Sequence, residues 1–271
     1  MSEILKYTNM KSINRGMLLI SIFCFLNQCG IQKKVSDAIQ VYSPDGKICV
    51  EMFKGTDSKL LYKVTASGME IITPSRFGII SDSIDLGSNI TFGSVESGMI
   101  DETYSVFGIH NKAINRCNTK TVEVRTGGEK WFLDIRAYND GVAVRSRLSA
   151  KPDRHITGEV TEWKLPSNTL YWYQTDLVSY EGTFQKVLTD TLASDQIIGL
   201  PVTALLSSGK YALLTEANLV DYSDLAVKSG EGGTLKGFFH AEEKGWFTND
   251  EVTQPWRVIL IPDDLNALVN S

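Results

Sequence analysis

The sequence has few of the residues and motifs from which common catalytic sites are built. It contains three histidines, His110, His155 and His240, and each stands alone in the chain. The motifs G-x-S-x-G, H-E-x-x-H and G-x-x-x-x-G-K-[ST] are absent. Glu159 and Glu162 are three residues apart in the predicted strand 156–165, so they should face opposite sides and cannot work together as acid and base. The sequence therefore predicts no catalytic residue.

The cysteines do not form the spacing that indicates zinc binding, and the basic residues do not form the clusters that indicate nucleic-acid binding. Cys49 and Cys117 have no C-x-x-C spacing and no neighbouring histidine, so a zinc site is not expected. Each should pack as a small apolar residue, with a disulfide in an oxidising compartment as the alternative. The formal net charge is -5, and Lys and Arg form no long run. Nucleic acid is therefore not an expected partner.

The longest apolar run near the N-terminus is too short to span a bilayer. Lys6, Lys11 and Arg15 precede the apolar residues 17–26, which is the order of a basic and an apolar region in a secretory signal. A stable membrane-spanning helix needs about 20 apolar residues. The charge asymmetry favours an export signal, and a buried N-terminal helix is the alternative interpretation.

The end of this segment resembles a lipoprotein cleavage box. In residues 26–29 Cys29 stands where the acylated cysteine of a mature lipoprotein would be, although Gln28 replaces the usual small residue. Residues 1–35 are therefore interpreted as an export segment and linker. This predicts a periplasmic or outer-membrane lipoprotein of a Gram-negative cell, with a membrane tether through Cys29 if it is acylated.

What the sequence has in quantity is the alternation of apolar and polar residues that is typical of β-strands. Residues 131–148 alternate on both sides of a turn signal at 139–141, which predicts a hairpin. A four-residue loop sets Asp134 opposite Arg145, whereas a two-residue loop at 140–141 sets Arg136 opposite Arg145. A three-residue loop would move a charge onto the apolar face and is disfavoured.

Similar strands recur along residues 39–261, with a turn signal about every 8–12 residues. No stretch between residues 39 and 147 has helical periodicity. The sequence therefore predicts an all-β protein, a large antiparallel sandwich or barrel over residues 36–271.

The aromatic stretch 170–184 contains the best candidate for ligand chemistry. Glu181 stands at its turn and is either an exposed acid or a carboxylate on an aromatic rim, where it could hold a hard cation. Trp172, Tyr173 and Tyr180 would then form a platform for a sugar ring.

Glu216 is a second candidate, because it lies in an otherwise apolar strand, where a carboxylate needs a partner. It is interpreted first as a paired structural acid and otherwise as a substrate or interface contact.

Five stretches together resemble the N-terminal domain of glycoside hydrolase family 97, the α-glucosidase and α-galactosidase family. They occur in order, from about residue 39 to the C-terminus. They are YSPDG at 42–46, PSRFG at 74–78, RAYNDGVAVR at 136–145, TEANLVDY at 215–222 and PWRV at 255–258.

The resemblance implies a two-sheet supersandwich of the galactose-mutarotase type, packed against a catalytic (β/α)8 barrel. It also implies that the barrel carries the catalytic carboxylates and a calcium ion. The sandwich would supply one glutamate ligand, which corresponds by its place in the aromatic stretch to Glu181.

The sequence departs from the family in having no barrel. A (β/α)8 barrel needs about 200 residues or more, and calcium takes six to eight oxygen ligands. We therefore expect the accessory domain of a truncated or split gene, inactive alone. It would act on α-glucoside or α-galactoside oligosaccharides only with a barrel, in cis or as a separate chain. The alternatives are a free-standing exported carbohydrate-binding sandwich and a structural lipoprotein without a ligand.

Overall fold

A computed structural model describes residues 37–107 and 111–270 of the chain. The predicted export segment 1–35, including Cys29, lies outside the described residues, as does His110. In the part that is described, no helix is long and apolar enough to cross a membrane.

The described residues form twenty-one strands and one short α-helix, α1 (Leu265–Val269). Single 3₁₀ turns occur at Thr189–Thr191 and Glu231–Gly233. In chain order the strands are β1 (Ala38–Tyr42), β2 (Ile48–Lys54), β3 (Leu60–Ala66), β4 (Met69–Arg76), β5 (Ile79–Ser81), β6 (Ile84–Asp85), β7 (Thr91–Ser105), β8 (Lys112–Thr126), β9 (Glu129–Tyr138), β10 (Gly141–Leu148), β11 (Arg154–Glu159), β12 (Glu162–Trp163), β13 (Leu170–Gln174), β14 (Gln185–Leu188), β15 (Ile197–Leu205), β16 (Tyr211–Ala217), β17 (Leu225–Ser229), β18 (Leu235–Phe239), β19 (Trp246–Thr248), β20 (Val252–Thr253) and β21 (Trp256–Leu260).

These strands are arranged in three antiparallel sheets. A four-stranded sheet has the order β1-β2-β3-β4, and a small sheet has the order β19-β11-β5-β6. The large sheet runs β12-β18-β17-β15-β16-β21-β10-β9-β8-β7, with β13 joined to β15, β14 joined to β13 and β20 joined to β10. The predicted all-β class and large antiparallel sandwich are confirmed, and the small third sheet is an addition to them.

The core lies between the four-stranded sheet and the large sheet, as strand alternation requires. Val50 and Met52 of β2 are buried, as are Leu133 and Ile135 of β9, and all four belong to one apolar cluster. At one end the two layers are also joined by a polar contact, where the backbone N–H of Asp45 donates to Asn139 Oδ1 at 3.0 Å.

The predicted hairpin is formed by β9 and β10. Asp134 lies opposite Arg145, which is the register of the four-residue alternative, but pairing continues to Tyr138 and Gly141, so the loop itself has two residues. Pairing extends this far because Gly141 also pairs with Leu260 of β21. This close approach needs glycine, since a Cβ there would lie 2.5 Å from the carbonyl oxygen of Ile259.

Asp134 holds the polar face of this hairpin together. Its carboxylate accepts from Arg145 Nε at 3.0 Å, from Arg147 Nε at 2.6 Å and from Thr121 Oγ1 at 2.9 Å. Burial alone would raise the pKa of Asp134, but the hydrogen bonds from Arg147 and Arg145 outweigh it and lower that pKa below its usual range. The charges that sequence alternation placed on one face therefore form a paired group.

Residues 156–165 do not form the single strand that the sequence predicted. β11 ends at Glu159 in the small sheet, and β12 begins at Glu162 at the edge of the large sheet. The chain crosses between sheets here because the N–H of Val160 donates to Gly78 O at 2.9 Å and Thr161 O accepts from the N–H of Gly237 at 2.8 Å. Glu159 and Glu162 therefore lie in different sheets, and not on opposite faces of one strand.

The two cysteines among the described residues are free thiols. Cys117 is buried and Cys49 is half-buried, and no disulfide joins them. Their packing is what was expected of small apolar residues.

Candidate functional site

Of the predicted site residues, Tyr180 and Glu181 lie in the loop 175–184, and Tyr180 is close to Glu216 and to the segment 217–224 that follows β16. We call this region the rim. The pKa of Tyr180 is raised by partial burial and by the negative charges of Asp224 and Glu216, so the two segments share one electrostatic environment. Glu216 Oε1 also accepts from the N–H of Leu225 at 3.3 Å, which closes the segment on itself.

The loop 175–184 is built on Asp176. Its Oδ1 accepts from the N–H groups of Val178 at 3.1 Å and Ser179 at 3.0 Å, and its Oδ2 accepts from the Ser179 hydroxyl. These bonds, the Ser179 hydroxyl first, lower the pKa of Asp176. Tyr180 then adopts a positive φ of 57°, which is uncommon for a non-glycine residue and reverses the chain just before Glu181.

Glu181 is therefore displayed at a tight turn. The next residue must be small, because a Cβ at Gly182 would lie 2.9 Å from Asp176 Cβ. Glu181 is exposed, and its carboxylate has no hydrogen bond or ion pair with any of the described residues. The side chain lies outside the core, as the rim interpretation requires.

Of the three rings of the predicted aromatic platform, two are accessible and one is buried. Tyr180 is exposed and Trp172 is half-buried, with Lys186 Nζ 5.2 Å from the centre of its ring. Tyr173 is buried, and its hydroxyl donates to Gln185 Oε1 at 3.2 Å, so it cannot offer a face to a sugar. The reason is the alternation of β13, which turns Tyr171 and Tyr173 inward and Trp172 outward.

Glu216 has the partner that its position demanded. It faces Arg257 across the pair β16–β21, and Arg257 Nη1 donates to Glu216 Oε2 at 2.5 Å. The fully buried Arg257 also donates to Glu159, from Nε at 3.2 Å and from Nη2. The Tyr222 hydroxyl completes the group by donating to Glu159 Oε1 at 3.0 Å. Glu216 is a structural acid, and the sequence did not predict its links to Glu159 and Tyr222.

The protonation states of this group follow from its geometry. Burial would lower the pKa of Arg257, but Glu159 and Glu216 together raise it, so the guanidinium stays charged. Burial raises the pKa of Glu216, and Arg257 opposes this. Burial and the charge of Glu159 raise the pKa of Tyr222 well above its usual value, so its hydroxyl remains a donor. The group thus anchors the segment 217–224, which is one side of the rim.

The surface of the rim is apolar around Glu181. Large hydrophobic side chains are exposed on both segments, and Val178 has 86% of its surface accessible. The other exposed members are Tyr180, Phe184, Leu219 and Val220. Several exposed large apolar residues on two such segments are typical of a surface that another protein or domain covers.

No complete metal site is present among the described residues, because no group of three or more His, Cys, Asp or Glu side chains converges there. The rim therefore offers two free carboxylates, Glu181 and Asp221, of which Glu181 stands on the turn that Asp176 holds in place.

Comparison with known proteins gives one family and a consistent set of relatives. The family model described as Glycosyl-hydrolase 97 N-terminal matches residues 41–271. A retaining alpha-galactosidase of Bacteroides thetaiotaomicron is 24% identical over 238 residues, which are 83% of this chain and 35% of that protein. A probable retaining alpha-galactosidase of Streptomyces bingchenggensis is 23% identical over 211 residues, which are 77% and 33% of the two chains.

Solved structures show the same fold. A glycoside hydrolase family 97 enzyme from Pseudoalteromonas sp. strain K8, in complex with acarbose, superposes with a TM-score of 0.79 at 19% identity. It is matched over 86% of this chain and 37% of that chain. A beta-arabinopyranosidase has a TM-score of 0.75 at 20% identity, over 83% and 40% of the two chains. The chain thus spans about a third of the length of the curated relatives that it matches.

Proposed function

Since the chain belongs to the glycosyl-hydrolase 97 N-terminal family, we propose that it acts as an accessory sandwich domain for a catalytic (β/α)8 barrel. It docks on the barrel through the rim and supplies Glu181 as one ligand of a calcium ion held mainly by the barrel. The observation that carries this proposal is the display of Glu181, exposed and unpaired, on a turn that Asp176 holds in place.

Among the described acids of the rim, Glu181 and Asp221 have unpaired carboxylates, and Glu181 is the one that stands on the turn held by Asp176. Asp176 accepts hydrogen bonds within its own loop, Glu216 is bound to Arg257, and Asp224 accepts from the N–H of Ala241 at 3.1 Å. Glu181 has no such partner among the described residues. A free carboxylate on a fixed turn suits a metal that is completed by another domain.

The chemistry of the donor also fits calcium. Calcium prefers carboxylate and carbonyl oxygens and takes six to eight of them. One glutamate can supply one or two, so the rest must come from the docked domain. When bound, such an ion would supply positive charge beside the substrate, while this chain's part is to hold Glu181 in position.

The substrate class is proposed from the relatives. The two curated relatives are named as retaining alpha-galactosidases, and one solved structure contains acarbose. We propose that the assembled enzyme hydrolyses α-galactosides or α-glucosides, with the choice between them made by the barrel.

The test is reconstitution with a barrel that lacks its own N-terminal domain, prepared from the Bacteroides thetaiotaomicron relative. The wild-type chain is expected to restore calcium-dependent hydrolysis of p-nitrophenyl α-galactoside, and Glu181→Gln to lose most of that gain. Glu70→Gln, an exposed acid on β4, is the matched control and should behave as the wild type.

Two outcomes contradict the proposal. If the wild-type chain and the barrel form a complex that has no more activity than the barrel alone, the accessory role is wrong. If Glu181→Gln restores full activity with an unchanged calcium requirement, the ligand role is wrong.

A further inference from the structure

A cleft of about 380 Å³ shares the segment 217–224 with the rim and combines aromatic rings with carboxylates. It lies between the segment that follows β16 and the segment around β19. The residues that matter for its chemistry are Asp221, Tyr222, Glu242, Trp246, Phe247 and Asp250.

Phe247 presents the most accessible ring of this cleft. It is stacked on His155, with ring centres 4.1 Å apart and an angle of 10° between the planes. The imidazole is itself fixed by a contact of 3.2 Å between its Nε2 and the carbonyl oxygen of Lys244. Because Phe247 is nevertheless 70% exposed, the ring face away from His155 is open to a ligand.

Trp246 also lines the cleft and is held rigidly. Its ring packs edge-to-face with Tyr222, with centres 5.0 Å apart at 77°, and is tilted by 37° against Phe239 at 5.5 Å. Tyr222 is fixed in turn through its hydrogen bond to Glu159. The aromatic wall is therefore preorganised by the same buried group that anchors the rim, which reduces the ordering cost of binding.

Three acids surround these rings. Asp221, Glu242 and Asp250 are exposed, and their carboxylates have no ion pair or hydrogen bond with the described residues. They are also too dispersed to form a metal site, since no group of three such ligands converges in the described chain. Free acceptors around an apolar ring match a ligand with an apolar face and many hydroxyl donors.

We propose that this cleft is a carbohydrate subsite that binds a neutral pyranose unit. The sugar ring stacks on Phe247 beside Trp246, and its hydroxyls donate to Asp221, Glu242 and Asp250. Uronates, phosphorylated sugars and nucleotides are disfavoured, because three uncompensated carboxylates repel an anion. The choice of sugars as the ligand class rests on the proposed function. The cleft would then hold part of an oligosaccharide beside the rim.

The test uses the full chain alone, without barrel or calcium, and titrates it with maltotriose and with raffinose. Binding is followed by calorimetry and by tryptophan fluorescence. Phe247→Ala is expected to bind about tenfold more weakly, as the loss of one stacked ring implies. Phe107→Ala, another exposed phenylalanine, is the control and should bind as the wild type. If Phe247→Ala does not fold, Phe247→Leu takes its place in the titration, because leucine keeps the apolar bulk but lacks the aromatic ring.

A second matched pair tests the carboxylates. Glu242→Gln should weaken binding severalfold, whereas Glu243→Gln, exposed next to it but outside the cleft, should not. The inference is overturned if the folded wild-type chain binds neither sugar, or if Phe247→Ala binds both normally. It is also overturned if glucuronate binds as well as the neutral sugars, or if tetramethylammonium binds and the sugars do not.

These outcomes are separable from those of reconstitution. Sugar binding by the chain alone with failed reconstitution would contradict only the accessory role. Successful reconstitution with no sugar binding by the chain alone would contradict only the subsite.

Discussion

Buried charges in this domain occur in groups, and the group decides how each residue responds to substitution. Arg257 is shared by Glu159 and Glu216, and Asp134 is shared by Arg145 and Arg147. Removing one member of such a group leaves another charge desolvated without its partner, which is more costly than the loss of an exposed pair. Glu181 belongs to no such group.

The first prediction compares how substitution of Glu181 and substitution of Glu159 change the free energy of unfolding. Glu181→Gln should leave the free energy of unfolding within about 0.5 kcal/mol of the wild type, because the carboxylate is exposed and unpaired. Glu159→Gln should lower it by about 3 kcal/mol, because the fully buried Arg257 loses its nearest negative charge. Urea denaturation measures both. If Glu181→Gln is strongly destabilising, the residue is part of the fold and its ligand role fails.

The second prediction concerns the pH dependence that Asp134 confers. Its pKa is lower in the folded state than in the unfolded chain. The stability that ionised Asp134 gives the folded state is therefore fully present above the pKa of the unfolded chain, about 3.9. It is lost as the pH falls through the lower pKa of the folded state. Asp134→Asn should be about 2 kcal/mol less stable at pH 7.

The stability difference between Asp134→Asn and the wild type should shrink as the pH falls below about 4. Urea denaturation of both proteins at several pH values is the measurement. A difference that stays constant down to pH 2 would show that the carboxylate charge is not the cause.

At the scale of the element, the hairpin β9–β10 and the strand β21 depend on one close contact. Gly141 pairs with Tyr138 on one side and with Leu260 on the other. A methyl group there meets backbone atoms of β21, which cannot rotate away as a side chain can.

The third prediction follows from this contact. Gly141→Ala should lower the stability by about 2 kcal/mol or more, as overpacking against rigid groups does. Gly158→Ala in β11 is the control. Its added Cβ would meet only Ile80 Cδ1 at 3.7 Å, an ordinary contact. The control should therefore be neutral or slightly stabilising. Equal effects of the two substitutions in thermal unfolding would contradict the steric argument.

At the scale of the whole molecule, three of the described acids are already bound within the fold. Glu159 and Glu216 are bound to Arg257, and Asp176 holds its own loop. The fourth prediction is that the purified chain alone does not hydrolyse p-nitrophenyl α-glucoside or α-galactoside, with or without calcium. A turnover rate that survives repurification and disappears in Glu181→Gln would contradict it.

The fifth prediction concerns residues 1–35, for which we propose export. Lys6, Lys11 and Arg15 before an apolar run predict that residues 1 to about 28 are removed and that the mature chain lies outside the cytoplasm. Mass spectrometry of the mature N-terminus is the measurement. A lipid adduct on Cys29 would establish the membrane tether, whereas an intact Met1 on the accumulated protein would refute export.

The sequence by itself determined the features that depend on neighbouring residues. Alternation of period two predicted the strands and the all-β class. The turn at 139–141 predicted the hairpin and left two registers open, and the structure has the one that pairs Asp134 with Arg145. Gly at 182, directly after the aromatic run, placed Glu181 at a turn outside the core. These features follow from local backbone preference and from the burial of one strand face, which a single stretch encodes.

Only the tertiary structure decided which distant residues meet. Glu159 reaches Arg257 across 98 residues, and the chain crosses between sheets after Glu159 where a single strand was predicted. The cleft likewise joins Tyr222 to Phe247 from two separate segments. Alternation tells which side of a strand is buried but not which strand lies beside it. Strand order is set by the packing of all the sheets around one core, which no local pattern specifies.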